Sequence, residues 1–538
     1  MSATLKALTC REILMAIFEK LSPGRIQQYN SPSYPEAGVQ RRLAQRTLAR
    51  AARVCRAFED PALNVLWRVV DDIVDLLSIL PALGGYPYTF TRDIMETEWM
   101  RFQEYLLRVR ELDASDYHTV EAFTWTVLRR WCPQGPLLPL LRWLRDFTFD
   151  DAGLSHTILL TPMISHISMV LREHPSEATV KTVLREMMPV FSQICSLTIA
   201  GDPTRLGLIP VWTCTQLHSL GIGSPIALTV PSLNALRAFP NLSYLSLNLA
   251  KMTDLIGTTL APGFEALRYL DFSAIGLEDV VVFLEITRPP HLHSFHLECN
   301  KFLVETTMDV AIQQLDFIHS TLPSSLLDFS IEFRVALEDR PITTAGPGGP
   351  TAAQLLEPLR SRNDMHTISF LFEDMYVGFT EDDLNGVQTL WPSLRTFQFE
   401  SGETLIYNLN FTFTHFSPFP TLDSVASFVS AHPQLEGLAI PSMNLAPLPD
   451  LDSLPSPPNS RLRRLHVPFF LPGPSLVELG LLVDRLYPNL DLTNIRRTLD
   501  TGGYQRGQQF DLLLFGLQAG RRGAYLLEGG RLDDLGLF

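Results

Sequence analysis

Between residues 242 and 297 one phrase recurs at a fixed interval of 25 residues: Leu242, Leu245 and Leu247, then Leu267, Leu270 and Phe272, then Leu292, Phe295 and Leu297. In an extended strand, residues two apart share a face. The last two apolar positions of each phrase therefore predict a short strand buried along one side, and the leucine three positions earlier tucks under the same core. A unit of this size cannot bury its apolar face alone, so the repetition requires stacked neighbours. An α/β domain with Leu/Phe-rich buried strands would share the apolar faces but not the constant interval.

The same template matches at Leu144/Phe147/Phe149, Ile194/Leu197/Ile199, Leu217/Leu220/Ile222, Leu326/Phe329/Ile331, Met365/Ile368/Phe370, Leu394/Phe397/Phe399, Leu435/Leu438/Ile440 and Leu462/Leu465/Val467. With the first three, these give eleven expected strands. Segments with helical apolar spacing lie between them, including those beginning at Ser232, Asp423 and Leu476. Pro240, Pro290, Pro392, Pro433 and Pro488 often close the helix just before a strand, because proline cannot continue the hydrogen-bond ladder. This helix, proline, strand unit resembles a leucine-rich repeat, which implies an α/β horseshoe solenoid with strands on its concave side. Asn300 comes nearest to the asparagine that follows the strand in that family, and the units lengthen after position 300.

The chain has 538 residues, 46% hydrophobic and 19% charged, the profile of a folded protein. Repeats override a domain count based on length, since a solenoid grows without splitting its core. A formal charge of −15 argues against nucleic-acid binding driven by counterion release. No apolar run is long enough to span a membrane, and the first residues do not read as a signal peptide. Six cysteines without a C-x-x-C pair fit neither a disulfide framework nor a zinc site. The expected compartment is cytosol or nucleus, where the sequons at Asn241 and Asn410 carry no sugar.

Before the repeats lie three amphipathic helical patterns. Thr9-Cys-Arg-Glu12 reads as a capping box, opening a helix whose apolar side carries Ile13, Leu14, Ile17, Phe18 and Leu21. After a polar loop from Pro23 to Gln45, a second helix is expected to carry Leu48, Ala51, Ala52, Cys55 and Phe58. Asp60-Pro61 reads as the start of a third, with Leu63, Leu66, Trp67 and Val70 inward. A cap sealing the amino end of a solenoid would also need such apolar faces.

The phrases Glu12-Ile-Leu-Met-Ala-Ile-Phe-Glu-Lys-Leu21, Leu48-Ala-Arg-Ala-Ala-Arg-Val-Cys-Arg-Ala-Phe58 and Pro61-Ala-Leu-Asn-Val-Leu-Trp67 resemble an F-box of the fungal, basidiomycete type. Thr9 and Cys10 stand where family members usually carry Leu-Pro. The resemblance implies the substrate-recognition subunit of a cullin-based ubiquitin ligase. Ile13, Leu14, Ile17, Phe18, Leu21, Leu48, Val54, Cys55, Phe58, Leu63, Leu66 and Trp67 would then bind a Skp-type adaptor or form the core behind that contact. The organisation expected is an F-box-like module over 1–75, a helical linker with a degenerate first repeat around Val109 and Leu112 over 76–140, repeats over 141–500 and a Gly-rich tail over 501–538.

No Walker loop, dinucleotide fingerprint, nucleophile elbow or zinc-protease motif is present. No enzyme activity, cofactor or metal is assigned. The three histidines His291, His293 and His296 do not converge, and the carboxylate pairs Asp71-Asp72 and Asp382-Asp383 sit at helix starts or charged faces. The candidate substrate surface is the outward row of the strands: Tyr244, Ser246, Tyr269, Asp271, His296, Glu298, Glu332, Gln398 and Glu400. Its acids and tyrosines suit a protein ligand with basic groups. A protein-binding scaffold outside ubiquitination is the alternative, and the target protein is unspecified.

Overall fold

A computed structural model gives a mixed α/β protein with a large parallel sheet. The structure describes residues 10–23, 34–115, 119–133, 135–149, 153–171, 177–201, 214–258, 260, 263–300, 308–334, 351–373, 377–401, 418–444, 461–470, 476–490, 513–514, 516–518 and 520. Thr9, Asn410, the loops at Gly346–Pro350 and Pro447–Pro458, and most of the tail lie outside these residues. The chain divides into two compact units, one comprising residues 1–226 and 235–247, the other 227–234 and 248–538.

The first unit begins with helices α1 (Arg11–Lys20), α2 (Tyr34–Ala51) and α3 (Arg56–Leu66). Leu14, Phe18, Leu48, Ala62 and Val65 form their core, with Phe58 and Leu66 packed against it. Three boundaries differ from the expected ones. Cys10, not Thr9, is the residue that opens α1, and its thiol lies 3.1 Å from Glu12 Oε2. Helix α2 starts at Tyr34, within the expected loop, with Pro35 in the first turn where no amide hydrogen is needed. The expected second helix breaks after Ala51: the chain turns through Arg53 and Val54, and α3 starts at Arg56 and continues through Pro61. The break lets Phe58 face back onto Phe18, with ring centroids 5.5 Å apart and edge to face. That contact and burial of the Pro61 ring offset the helix bond that proline cannot make.

The chain continues through β1 (Val69–Val70), α4 (Ile73–Leu77), the antiparallel pair β2 (Leu83–Gly84) and β3 (Thr89–Phe90), α5 (Glu96–Leu106), β4 (Glu111–Asp113) and α6 (Ala122–Trp131). It then forms β5 (Trp143–Phe149), β6 (His166–Leu171), α7 (Glu177–Phe191), β7 (Ser196–Gly201) and β8 (Ser219–Ile226). Strands β1, β4, β5, β6, β7 and β8 pair in parallel in that order. Two of these, β1 and β6, were not expected from the sequence. The helical module is tied to this sheet by charge and aromatic contacts. Arg41 donates to both carboxylate oxygens of Asp71, at 2.6 and 2.5 Å, Arg108 bridges Asp60 and Asn64, and Trp67 meets Tyr105 edge to face at 5.2 Å.

At the boundary between the units lie α8 (Val230–Arg237) and β9 (Tyr244–Leu249). The second unit carries β10 (Tyr269–Ala274), α9 (Leu277–Thr287), β11 (Ser294–Cys299), α10 (Met308–Thr321), β12 (Asp328–Phe333), α11 (Ala352–Leu356), β13 (Thr367–Phe372), α12 (Glu381–Val387), β14 (Thr396–Ser401), α13 (Leu422–Ala431) and β15 (Gly437–Ala439). A short parallel pair, β16 (Ser442–Met443) with β18 (Phe469–Phe470), flanks β17 (Arg464–His466), and α14 (Leu476–Leu486) follows. Strands β10 to β15 and then β17 pair in parallel without a slip in register. Along β10 to β14 every second residue is buried and its neighbours face outward.

The inward side is dominated by phenylalanine. Phe272, Phe295, Phe329, Phe370 and Phe399 are each fully buried, with successive ring centroids 6.0, 5.7, 5.7 and 6.0 Å apart. Each fully buried ring contributes about 2 kcal/mol over its exposed state. Before several strands, the first apolar residue of the phrase closes a turn. Leu267, Leu394 and Leu435 donate their amides to Phe264, Trp391 and His432 at 3.0, 2.9 and 3.0 Å. Phe264 and Trp391 take left-handed φ values of 61° and 54°, unusual for bulky side chains. Trp391 is held there by complete burial and by its indole donating to the Leu359 carbonyl at 3.1 Å. In the tail, Leu514 is buried and Leu513 and Leu517 lie over Gly480, so these residues pack on α14.

One buried group makes stability depend on pH. The His319 ring lies tilted against Phe329 at 4.5 Å, and among the described residues neither of its nitrogens has a hydrogen-bond partner. Burial, aided by the charge of Arg362, pushes its pKa down to about 3. The native state keeps this ring neutral while the unfolded chain takes up a proton below its ordinary pKa. The favourable contribution is therefore complete above that value and lost as pH falls towards the native one. His319→Leu should flatten the fall in unfolding free energy between pH 6 and pH 4 by about 1.4 kcal/mol per pH unit, measured by urea unfolding against wild type.

Candidate functional site

On α1, Leu14 and Phe18 point into the module core while Ile13, Ile17 and Leu21 recur four residues apart on an adjacent side. The latter are 43%, 46% and 38% exposed, a stripe of aliphatic surface that the module itself does not cover. The twelve residues read as adaptor-binding therefore separate into three groups. Leu14, Phe18 and Leu48 are core. Phe58, Leu63, Leu66 and Trp67 are half-buried, Trp67 against Tyr105. Ile13, Ile17, Leu21, Val54 and Cys55 are exposed, Val54 most of all at 69%. Helical periodicity identified the apolar face, but separating its buried centre from its exposed flank needed the observed helix packing.

The second candidate surface is the outward side of the strands. Tyr244 and Ser246 lie in the first unit, while the other candidates belong to the second. There, register aligns Asp271 with His296, Ser330, Ser369 and Gln398, and aligns Ser273 with Glu298, Glu332, Leu371 and Glu400. The acidic row is thus interrupted at Leu371. Tyr269 is half exposed at the start of β10. Asn300 does follow its strand as the repeat pattern implies, its side-chain amide donating to Ser273 Oγ at 2.9 Å.

Arg334 was missed by the sequence reading because it falls one residue past β12. Its guanidinium donates to Glu332 at 2.6 Å and lies 3.0 Å from Glu298 and 3.6 Å from Glu373. Partial burial opposes its charge, but the hydrogen bond to Glu332 and the three carboxylates outweigh burial and raise its pKa. The three acids of this corner therefore share one cation. The carboxylate pairs noted in the sequence have local roles. Asp72 accepts from the Val74 amide at 2.7 Å at the start of α4, and Asp383 completes a capping box with Thr380 while accepting from the Ala353 amide at 3.0 Å.

Replacing Arg334 by glutamine leaves three carboxylates facing one another. The expected loss is about 0.5–1 kcal/mol at low salt, since the site is half exposed, and it should shrink when thermal unfolding is repeated at 0.5 M salt. No family model matches the chain, and no curated protein matches it.

Proposed function

We propose that this chain is the substrate-recognition subunit of a cullin-based ubiquitin ligase, an F-box protein whose leucine-rich-repeat-like horseshoe holds the target. The observation that carries this reading is the α1 stripe. Ile13, Ile17 and Leu21 stand exposed on a helix whose other side is fixed by Leu14 and Phe18. A partner that covers the stripe gains its remaining apolar area, and a rigid helix loses little conformational entropy on binding. The partner implied by the F-box resemblance is a Skp-type adaptor, itself bound to a cullin. The protein would act by proximity: a target resting on the outward strand rows is held near a charged conjugating enzyme, raising effective concentration without chemistry from this chain.

Purified chain should capture a purified Skp-type adaptor at micromolar concentration. Ile17→Glu places a charge in the contact, and its desolvation should weaken capture by at least about a hundredfold while leaving the circular dichroism spectrum unchanged. Leu14→Glu should instead unfold the module. Absence of wild-type capture, or full capture by Ile17→Glu, refutes the adaptor reading and leaves a protein-binding scaffold that acts outside ubiquitination.

A further inference from the structure

In the first unit, one residue ahead of the outward row, Arg68, Arg110 and Arg142 occupy adjacent rungs of one backbone ladder. The Arg110 amide donates to the Arg68 carbonyl at 2.9 Å, and the Arg142 amide donates to the Arg110 carbonyl at 2.8 Å. Neighbouring backbones in such a ladder lie about 4.8 Å apart. The same column continues through Ser165, Cys195, His218 and Ser243, linked by bonds of 2.9, 2.7, 2.7 and 2.9 Å. No carboxylate interrupts it. In a chain with a net charge of −15, this edge is a local reversal of sign.

Among the described residues, only part of that charge is answered internally. Arg68 pairs with Glu19 of α1. Arg110 donates to the Leu107 and Val109 carbonyls at 2.7 and 3.0 Å, closing the end of α5 without meeting a carboxylate. Arg142 is exposed. Glu111, in the next row, lies 3.9 Å from Arg145, and its charge, after that of Glu19, also helps to raise the pKa of Arg68, so Arg110 and Arg142 are the less answered members of the column. Burial and then the charges of Arg142 and Arg68 lower the pKa of Arg110, the direction that crowded guanidinium groups produce. Folding thus brings like charges together, and an anion on this edge would relieve their repulsion.

The geometry points to a docking site for an extended acidic peptide segment of the target protein, laid along the Arg68, Arg110 and Arg142 column. Alternate side chains of an extended peptide stand about 6.7 Å apart, a distance that two flexible arginines on neighbouring rungs can span. A peptide fits better than a nucleic acid for two reasons. Trp143 and His166 beside the arginines stack on each other at 3.7 Å and 13°, which closes one face of each ring, whereas single-stranded nucleic acid binds by stacking on aromatic faces. The net negative charge also repels a long polyphosphate, which extends beyond the basic edge, more than a short peptide segment whose few charges stay on it.

This site rests on the reading of the repeats as target-holding, but its test is separable from adaptor binding. Full-length chain is titrated at low salt against a fluorescein-labelled twelve-residue peptide of alternating aspartate and serine, with fluorescence anisotropy as readout. An asparagine-serine peptide and twelve-nucleotide oligothymidylate serve as comparisons. The aspartate peptide should bind, and its affinity should fall about tenfold in Arg142→Glu and about threefold in Arg142→Gln. Arg101→Glu, on the exposed side of α5, should leave it unchanged. Adaptor capture by both Arg142 variants should match wild type, which separates loss of this site from loss of the F-box reading. Equal binding of the asparagine peptide, tighter binding of the oligonucleotide, or unchanged affinity in both Arg142 variants overturns the proposal.

Discussion

Each strand of this protein can bury one side only beside strands that repeat its pattern in register. The constraint is strictest from β10 to β14, where every strand pairs with its neighbour position for position and the alternating residues bury the same side. The rest follows from that alignment. The phenylalanines meet because register brings them together, and the outward residues form continuous columns for the same reason. A polar substitution at Phe329 would remove contacts from the strands on both sides, so disruption spreads along the sheet to nearest neighbours.

The positions of the strands were legible because their apolar spacing is a direct consequence of burial. All eleven expected strands occur in the sheet, including the short β15 and β17. The two omissions differ in kind. At β6 the phrase is Ile164, Ile167 and Met169, which fits the same apolar template and buries the same side, so this strand was readable from the sequence and was overlooked. At β1 only two residues pair, too few for alternation to show. Helix boundaries in the amino-terminal module were less legible. Pro61 reads locally as a helix start, yet the tertiary contact between Phe58 and Phe18 carries α3 through it.

The functional surfaces were legible by face but not by neighbourhood. Sequence alternation assigned Glu298, Glu332 and Glu400 to the outward side, while Leu371 between them emerges only from strand pairing. Arg334 acts through space on three glutamates from different strand ends, a relation that linear spacing cannot encode. The arginine column has the same character: Arg68, Arg110 and Arg142 are far apart in the chain and become neighbours only through the ladder. On α1, by contrast, one helix supplies both the buried and exposed apolar residues, and the four-residue recurrence of Ile13, Ile17 and Leu21 is visible in the sequence itself.

The turn found before several of the strands has a further consequence. Leu267, Leu394 and Leu435 each close the same four-residue hydrogen-bonded turn, although the connecting segments that precede them differ in length. The turn resets the phase of the chain before the next strand begins. Insertions on the helical side are thereby uncoupled from alignment on the strand side, so connecting segments can diverge freely in size while the outward columns keep their order. Such a chain can change its periphery through insertion and its recognition surface through substitution, two routes of variation that do not interfere.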